Sequence, residues 1–342
     1  MIAGPPLVVD AWQVDAFGEP SAVLRRGEVR IEDVPPGSVL VEVEAIGLNF
    51  LDVSVCRGEY TSEPVPPVIP GAEVAGRVVA LGDGVTAVSV GDRVSALSPS
   101  AQGGFAGAVV LPESAVCRIP DDLPLETAAA ILVTYHTAHV SLVRRAGLRV
   151  GEWVLIHAGA GGTGSAAVQI AVAQGARVIT TSRSDEKAEV CRSLGAEVAL
   201  NTRRDDFVAA ALEATGGRGV DVVLDPVGGE GFRRSLECIA FEGRILPVGW
   251  ASGVKPELGL VDLLVRNITA IGVAWGMAYP PRAPEVVQET HRAILAGVAS
   301  GALRPLVRRT WSFAEIPTAV QALADGGIIG KGVVLLDEPS SA

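Results

Sequence analysis

The sequence predicts an α/β protein in two parts, a small β-barrel and a doubly wound parallel sheet. Short Val-rich strands separated by turn residues fill the chain as far as residue 125. From there on, buried-strand and helix patterns alternate, and a glycine cluster marks the first strand-to-helix junction. A length of 342 residues suits two domains at roughly 150 residues each.

Val39–Ala45 alternates as Val-Leu-Val-Glu-Val-Glu-Ala, the period of a half-buried strand. Gly71–Leu81 and Ser89–Leu97 are further strands joined by the turn Gly82-Asp83-Gly84, and Gly91-Asp92 makes a second turn before Arg93-Val94. Gly103-Gly104-Phe105 opens a short strand ending at Pro112, while Pro35-Pro36-Gly37, Pro64–Pro67 and Pro120–Pro124 mark loops. Glu126–Val143 is helical in composition, and Trp153–Ala158 is the continuous apolar run of a strand buried on both faces. Strands follow at Arg177–Thr181, Val220–Leu224, Arg244–Val248 and Thr269–Ala274, with helices at Thr163–Gln174, Asp185–Leu194 and Gly231–Ala240. A helix at Pro284–Gly297 and a strand at Lys331–Leu336 return to the barrel. The expected domains are therefore 1–125, completed by about 284–342, and 126–283.

Hydrophobic residues make up 49% and charged ones 20%, an ordinary globular balance. A net charge of −11 argues against nucleic acid or an anionic membrane surface as partner. Thr127–Val143 has no Asp, Glu, Lys or Arg but carries Thr, His, Tyr and Ser, a poor match to a membrane span. Met1–Pro6 lacks the basic and apolar regions of a secretory leader. Cys56, Cys117, Cys191 and Cys238 are scattered, with no Cys-x-x-Cys pair, so they read as reduced thiols of a soluble cytoplasmic protein rather than as a zinc cluster. His136 and His139 share a helical face, without the acidic or Cys companions that a metal centre needs.

The most informative stretch is Gly159-Ala160-Gly161-Gly162-Thr163-Gly164, a G-x-G-x-x-G run directly after the buried strand and opening an apolar helix. Missing Cβ atoms let a backbone touch a pyrophosphate, and the helix start offers it N–H groups and a positive dipole end. The next strand runs into Ser182-Arg183-Ser184 with Lys187 following, where an NAD site commonly carries an Asp or Glu for the ribose. Cations and hydroxyls there suit a 2′-phosphate, hence NADPH, with Asp185 and Glu186 read as first-turn acids directed at solvent.

Taken with Gly47-Leu48-Asn49-Phe50-Leu51-Asp52, Arg57-Gly58-Glu59-Tyr60, Pro70-Gly71-Ala72-Glu73-Val74-Ala75-Gly76, Val133-Thr134-Tyr135 and Gly330-Lys331, the chain resembles the medium-chain dehydrogenase/reductase superfamily. More narrowly it resembles the zinc-free quinone oxidoreductase group, over about Ala11 to Leu336. The resemblance implies a GroES-like β-barrel domain that takes the substrate, a Rossmann domain that binds NADPH, and a homodimer. Zinc-dependent relatives carry Cys where this chain has Asn49 and His where it has Ala72, so the resemblance implies no metal. Departures from the group are Thr163 for a common apolar residue, Thr202 for an aromatic or His against the adenosine, and Arg183 for a small residue.

The expected cofactor site comprises Thr134, Gly159, Gly161, Gly162, Thr163, Gly164, Ser182, Arg183, Lys187, Thr202, Gly249 and Lys331, of which Thr134, Thr202, Gly249 and Lys331 rest on the resemblance. Asn49, able to hydrogen-bond an acceptor oxygen, and Tyr60, able to offer a phenolic proton or a stacking ring, are the expected catalytic groups. A quinone reduced by hydride can collect its proton from water, so no dedicated acid is required. The expected activity is transfer of hydride from NADPH to a quinone or similar conjugated carbonyl. An enoyl reductase acting on a thioester or enone is the enzymatic alternative, and an NADPH-binding sensor or structural protein the non-enzymatic one.

Overall fold

A computed structural model of the protein describes residues 6–60 and 65–336. The leader reading at residues 1–5, the first residue of the Pro64–Pro67 loop and the chain beyond 336 lie outside that range. The chain forms two compact units, Met1–Val133 with Gly276–Leu295 and Pro305–Ala342, and Thr134–Trp275 with Ala296–Arg304.

The first unit opens with a hairpin of β1 (Leu7–Val14) and β2 (Leu24–Ile31), with a short helix α1 (Pro20–Val23) between them. There follow β3 (Ser38–Gly47), α2 (Phe50–Arg57), β4 (Glu73–Leu81), β5 (Arg93–Leu97), β6 (Ala108–Pro112), β7 (Val116–Arg118) and α3 (Leu125–Ile131). Strand β5 starts at Arg93 rather than Ser89, because Ser89–Asp92 closes a turn through Ser89 N–H to Asp92 Oδ2 at 2.8 Å. Gly103–Phe105 is likewise not strand: Gly104 N–H donates to Gly71 O and Phe105 N–H to Pro70 O, packing that glycine pair against the β4 approach. A Cβ on Gly71, at φ +114°, would lie 2.5 Å from Phe105 N, so only glycine fits there.

The second unit begins with α4 (Thr134–His139) and continues through β8 (Trp153–Ile156), α5 (Gly162–Ala173), β9 (Arg177–Ser182), α6 (Asp185–Ser193), β10 (Val198–Asn201) and α7 (Phe207–Ala214). Next come β11 (Val220–Asp225), α8 (Gly229–Ser235), β12 (Ile239–Pro247), α9 (Leu260–Arg266) and β13 (Thr269–Ala270). The sheet order is β10-β9-β8-β11-β12-β13, parallel throughout. All four residues of β8 are buried, which explains why the strand reads as an unbroken apolar run. Two sequence expectations are corrected here. The helix predicted over Gly231–Ala240 ends at Ser235, because Ile239 pairs with Val220 and opens β12. The strand predicted over Thr269–Ala274 pairs only at Thr269 and Ala270; Trp275, which is buried, already belongs to the next helix.

That helix is α10 (Trp275–Arg282), followed by α11 (Pro284–Ala299), β14 (Arg309–Ser312), α12 (Ile316–Ala324) and β15 (Gly332–Leu335). β15 pairs antiparallel with the end of β3 (Ala45–Gly47), giving the first unit a sheet of order β14-β15-β3-β4-β5-β7, and β6 pairs antiparallel with the start of β3 (Ser38–Glu42). Its core includes Val41, Val43, Ile46, Val74, Val94, Trp311 and Val334.

The unit boundary falls at Val133, later than the expected residue 125. The reason is α3, which packs on β3, β4 and β15 of the first unit. The single helix expected over Glu126–Val143 breaks at Leu132-Val133 and ends in a π-helical turn over Val140–Arg145. Side chains of the first unit serve backbone groups at the break: Ser95 Oγ donates to Ala128 O at 2.8 Å, and Glu73 Oε1 accepts from Leu132 N–H at 2.7 Å and Val133 N–H at 3.0 Å.

On α11, His291 is buried with Nε2 bonded to Arg118 O at 3.1 Å, and burial pushes its pKa down to about 4. An unfolded imidazole titrates near 6.5, so this neutral ring contributes stability in full above pH 6.5. That contribution, about 3 kcal/mol, is lost as pH falls towards 4. His291→Gln should flatten the loss of stability between pH 7 and 5 in urea melts; an unchanged slope would show that His291 does not set it.

Candidate functional site

In the second unit the strand order reverses at β8, which lies between β9 and β11, and the carboxyl ends of β8, β9, β10, β11 and β12 share one edge. Such a switch point is where open parallel sheets bind ligands. The glycine loop sits there. Ala158 turns the chain with φ +52°, Gly159 N–H donates to Thr181 O at 2.9 Å, and Gly161 caps α5.

The glycines differ in what requires them. A Cβ on Gly159 would meet Thr180 Cβ at 2.7 Å, and one on Gly164 would lie 2.1 Å from Ala158 O. Those two let helix and strand approach. A Cβ on Gly161 has only Ala158 O near it, at 3.3 Å, so the fold itself would tolerate a side chain there. Gly162 and Thr163 form the first turn of α5. The cradle thus keeps clear the space that a pyrophosphate would use, and the residues fit a dinucleotide.

Beside it, β9 ends at Ser182, whose buried hydroxyl is engaged with Ser184 O and Leu200 O, both at 3.2 Å. Arg183 is exposed and Lys187 half-buried. Burial, then the adjacent Arg183 charge, pulls the Lys187 ammonium below its ordinary pKa. Asp185 is exposed, as expected, but not left to solvent: Asn201 Nδ2 donates to its Oδ1 at 3.1 Å and Arg204 pairs with it at 3.1 Å. Thr202 is exposed, with Oγ1 donating to Ser182 O at 3.1 Å. Gly249 follows the end of β12, where a Cβ would lie 3.0 Å from Pro226 O.

His157, not singled out by its sequence context, ties three elements behind this edge. Its Nε2 meets Ser235 Oγ at 2.7 Å and its Nδ1 meets Thr181 Oγ1 at 2.9 Å. Ser235 donates to Gly231 O at 2.8 Å, so it accepts from Nε2–H. Burial lowers the pKa of His157, against the opposing charge of Asp225. Thr134 is buried at the start of α4. Tyr135 is core: its hydroxyl accepts from Gln169 Nε2 at 2.8 Å and burial raises its pKa.

The first unit gathers a second polar group. Asn49 ends the β3-to-α2 connection, and both its amide hydrogens are engaged, with Gly47 O at 2.9 Å and Glu73 Oε2 at 3.0 Å. Its Oδ1 accepts from Lys331 Nζ at 2.5 Å, and Lys331 Nζ also reaches Glu73 Oε2 at 2.6 Å. Lys331, expected beside the cofactor, is 4% exposed and ion-paired with a carboxylate that is 0% exposed. Asn49, expected to hydrogen-bond an acceptor oxygen, has both N–H groups engaged within this cluster.

Asp52 caps the cluster, accepting from Asn49 N–H at 2.7 Å and Ala72 N–H at 3.1 Å. Burial raises its pKa to about 7. Tyr60 is half-buried against the core, and burial, then the charge of Asp52, raises its phenol. Glu73 and Asp52 were missed by sequence reasoning. Asp52 carried a signal, its place three residues after the helix-capping Asn49; Glu73 carried none beyond being an acid in an apolar strand. Among the described residues no group of three or more His, Cys, Asp or Glu is arranged to hold a metal ion. All four cysteines are buried free thiols, and burial pushes Cys56, Cys117 and Cys238 up to about 12.

The alcohol dehydrogenase GroES-like domain family matches residues 35–121, and the zinc-binding dehydrogenase family matches residues 162–292. A quinone oxidoreductase-like protein 2 homolog of Nematostella vectensis is 36% identical over 326 residues, covering 95% of this chain and 88% of that protein. A mycobacterial protein solved with NADPH is 34% identical with TM-score 0.89, over 95% of this chain and 99% of that one. Escherichia coli quinone oxidoreductase, also solved with NADPH, is 28% identical with TM-score 0.88, over 95% and 99% of the two chains. The CurK enoyl reductase is 28% identical with TM-score 0.86, over 96% and 99%. With this likeness running through barrel, glycine cradle and parallel sheet alike, the chain belongs to the quinone oxidoreductase group of the medium-chain dehydrogenase/reductase superfamily.

Proposed function

We propose that the protein is an NADPH-dependent, zinc-independent reductase that passes hydride to a quinone or similar conjugated carbonyl. The observation that carries this reading is the open space over Gly161 beside a strand end bearing Arg183 and Lys187 rather than a carboxylate. Gly159–Gly164 would hold the pyrophosphate, Arg183 and Lys187 the 2′-phosphate, Thr202 the adenosine side, Thr134 the nicotinamide end, and Gly249, after β12, the part of the cofactor across β8 from the adenosine. Bound there, NADPH supplies the hydride. Tyr60, its phenol kept protonated by burial, is the group we assign to the acceptor oxygen.

A second reading has its own support. The enoyl reductase just named is a close structural relative, and a reducing polyketide synthase of Cochliobolus heterostrophus is 36% identical over 312 residues, 89% of this chain and 12% of that one. Following NADPH absorbance against ortho- and para-quinones and against enoyl thioesters separates the two. Binding of NADPH with no turnover on either set would leave the sensor or structural reading.

Zinc independence rests on donor chemistry. Asn49 and Ala72 offer neither thiolate nor imidazole, and the Lys331 ammonium 2.5 Å from Asn49 Oδ1 repels a divalent cation. Elemental analysis after desalting should find no stoichiometric zinc; one zinc per chain would overturn this.

We also read the protein as a cytoplasmic homodimer. Strand β13 ends its sheet with Thr269 and Ala270 exposed, and nearby α9 exposes Leu260, Val261, Leu264 and Val265. An apolar face beside an unpaired edge needs cover, and a twofold axis supplies it with an identical patch. Light scattering at micromolar concentration should give the dimer mass, and Leu264→Glu should give the monomer. A monomer mass for the unmodified protein removes the assignment. Buried thiols suit a reducing compartment, and no helix among the described residues is long and apolar enough to cross a membrane.

A further inference from the structure

We propose that Glu73 and Lys331 form a positioning pair that fixes the Leu132-Val133 break and, through it, Thr134. The proposal rests on the reading of Thr134 given above and assigns Lys331 to Glu73 rather than to the cofactor.

Four donors converge on the Glu73 carboxylate. Leu132 N–H at 2.7 Å and Val133 N–H at 3.0 Å take Oε1, while Lys331 Nζ at 2.6 Å and Asn49 Nδ2 at 3.0 Å take Oε2. One oxygen therefore holds backbone and the other holds side chains. The backbone groups are those of the two residues between α3 and α4, and the next residue is Thr134. Neither Leu132 nor Val133 is a helix breaker, so the break is imposed from outside by Glu73 of β4 and Ser95 of β5. Gly47 completes the fit: a Cβ there would lie 1.9 Å from Ala129 O and 2.9 Å from Glu73 Oε2.

A fully buried carboxylate needs a counter-charge to hold this geometry, and Lys331 is the cation in contact with it. Removing either member leaves the other buried and uncompensated, whereas a neutral pair of similar size avoids that penalty. Glu73→Gln with Lys331→Met is such a pair. The Gln oxygen still accepts from Leu132 and Val133, and its amide faces Asn49, whose side-chain amide must flip to present Oδ1 to it in place of Nδ2.

The experiment is the cycle of Glu73→Gln, Lys331→Met and the double variant, read by kcat, NADPH dissociation constant, melting temperature and amide exchange across residues 130–136. Each single variant should lose about thirtyfold or more in kcat and lose protection at Leu132 and Val133, with the NADPH dissociation constant within about threefold. The double variant should recover both, gaining about tenfold in kcat over either single. Exchange protection reads the pair without turnover, and NADPH binding by the unmodified protein reads the cofactor assignment, so the two fail separately. NADPH binding weakened by Lys331→Met and not restored in the double would make Lys331 a cofactor ligand and overturn the proposal. Unchanged exchange and unchanged kcat in the single variants would overturn it as well.

Discussion

Gly161→Val should weaken NADPH binding by about a hundredfold, roughly 3 kcal/mol, while leaving the melting temperature nearly unchanged. Gly161 has an ordinary negative φ of −84°, so a side chain brings no backbone strain. Its nearest neighbour to a new Cβ is Ala158 O at 3.3 Å, a contact that a small adjustment relieves. What the side chain would fill is the space above the α5 N-terminus, where backbone must approach pyrophosphate. Gly164→Ala is the counterpart. There the new Cβ would lie 2.1 Å from Ala158 O and 2.8 Å from Gly159 Cα, all main chain, so strand and helix must separate. That variant should lower the melting temperature first and affinity only as a consequence. If Gly161→Val bound NADPH as tightly as the unmodified protein in fluorescence titrations, the cradle would not be where the pyrophosphate lies.

The contrast between these glycines explains how far the sequence could be read. The cradle and its sheet were legible because their signals are local: an apolar run, glycines at fixed offsets, then a helix. Repeated strand-helix alternation made the parallel sheet legible but not its order, and β10, α7 and α9 went unread. The polar cluster of the first unit was not legible. It unites Asn49, Asp52, Glu73 and Lys331, and the Asn49–Lys331 contact spans 282 positions. No window contains it. The break at Leu132-Val133 has non-local partners too, since Glu73 takes both N–H groups from 59 and 60 positions away. Asn49 was singled out by residue type, but the buried carboxylate to which its amide donates lies 24 positions away and was not.

NADPH should be preferred over NADH by roughly ten- to a hundredfold. The argument starts at the end of β9, where Arg183 and Lys187 lie close enough for the first to depress the ammonium of the second. Two adjacent cations repel each other until an anion joins them, and a 2′-phosphate is such an anion. A charge-assisted hydrogen bond contributes about 1.5–3 kcal/mol, and each ~1.4 kcal/mol is tenfold in affinity. One good contact accounts for the range, and solvent screening at exposed Arg183 keeps two from adding fully. Asp185, the nearest acid in sequence, is held by Asn201 and Arg204 and so is not presented to a ribose hydroxyl. Ser182 adds little, its hydroxyl being turned into the unit. Lys187→Ala and Arg183→Ala should each weaken NADPH about tenfold while leaving NADH nearly unchanged, and added salt should narrow the gap between the two cofactors. Lys187→Ala should have the larger effect, because its half-buried ammonium is screened less than the guanidinium beside it. Equal losses for NADH and NADPH in both variants would make these side chains structural and remove the basis for the preference.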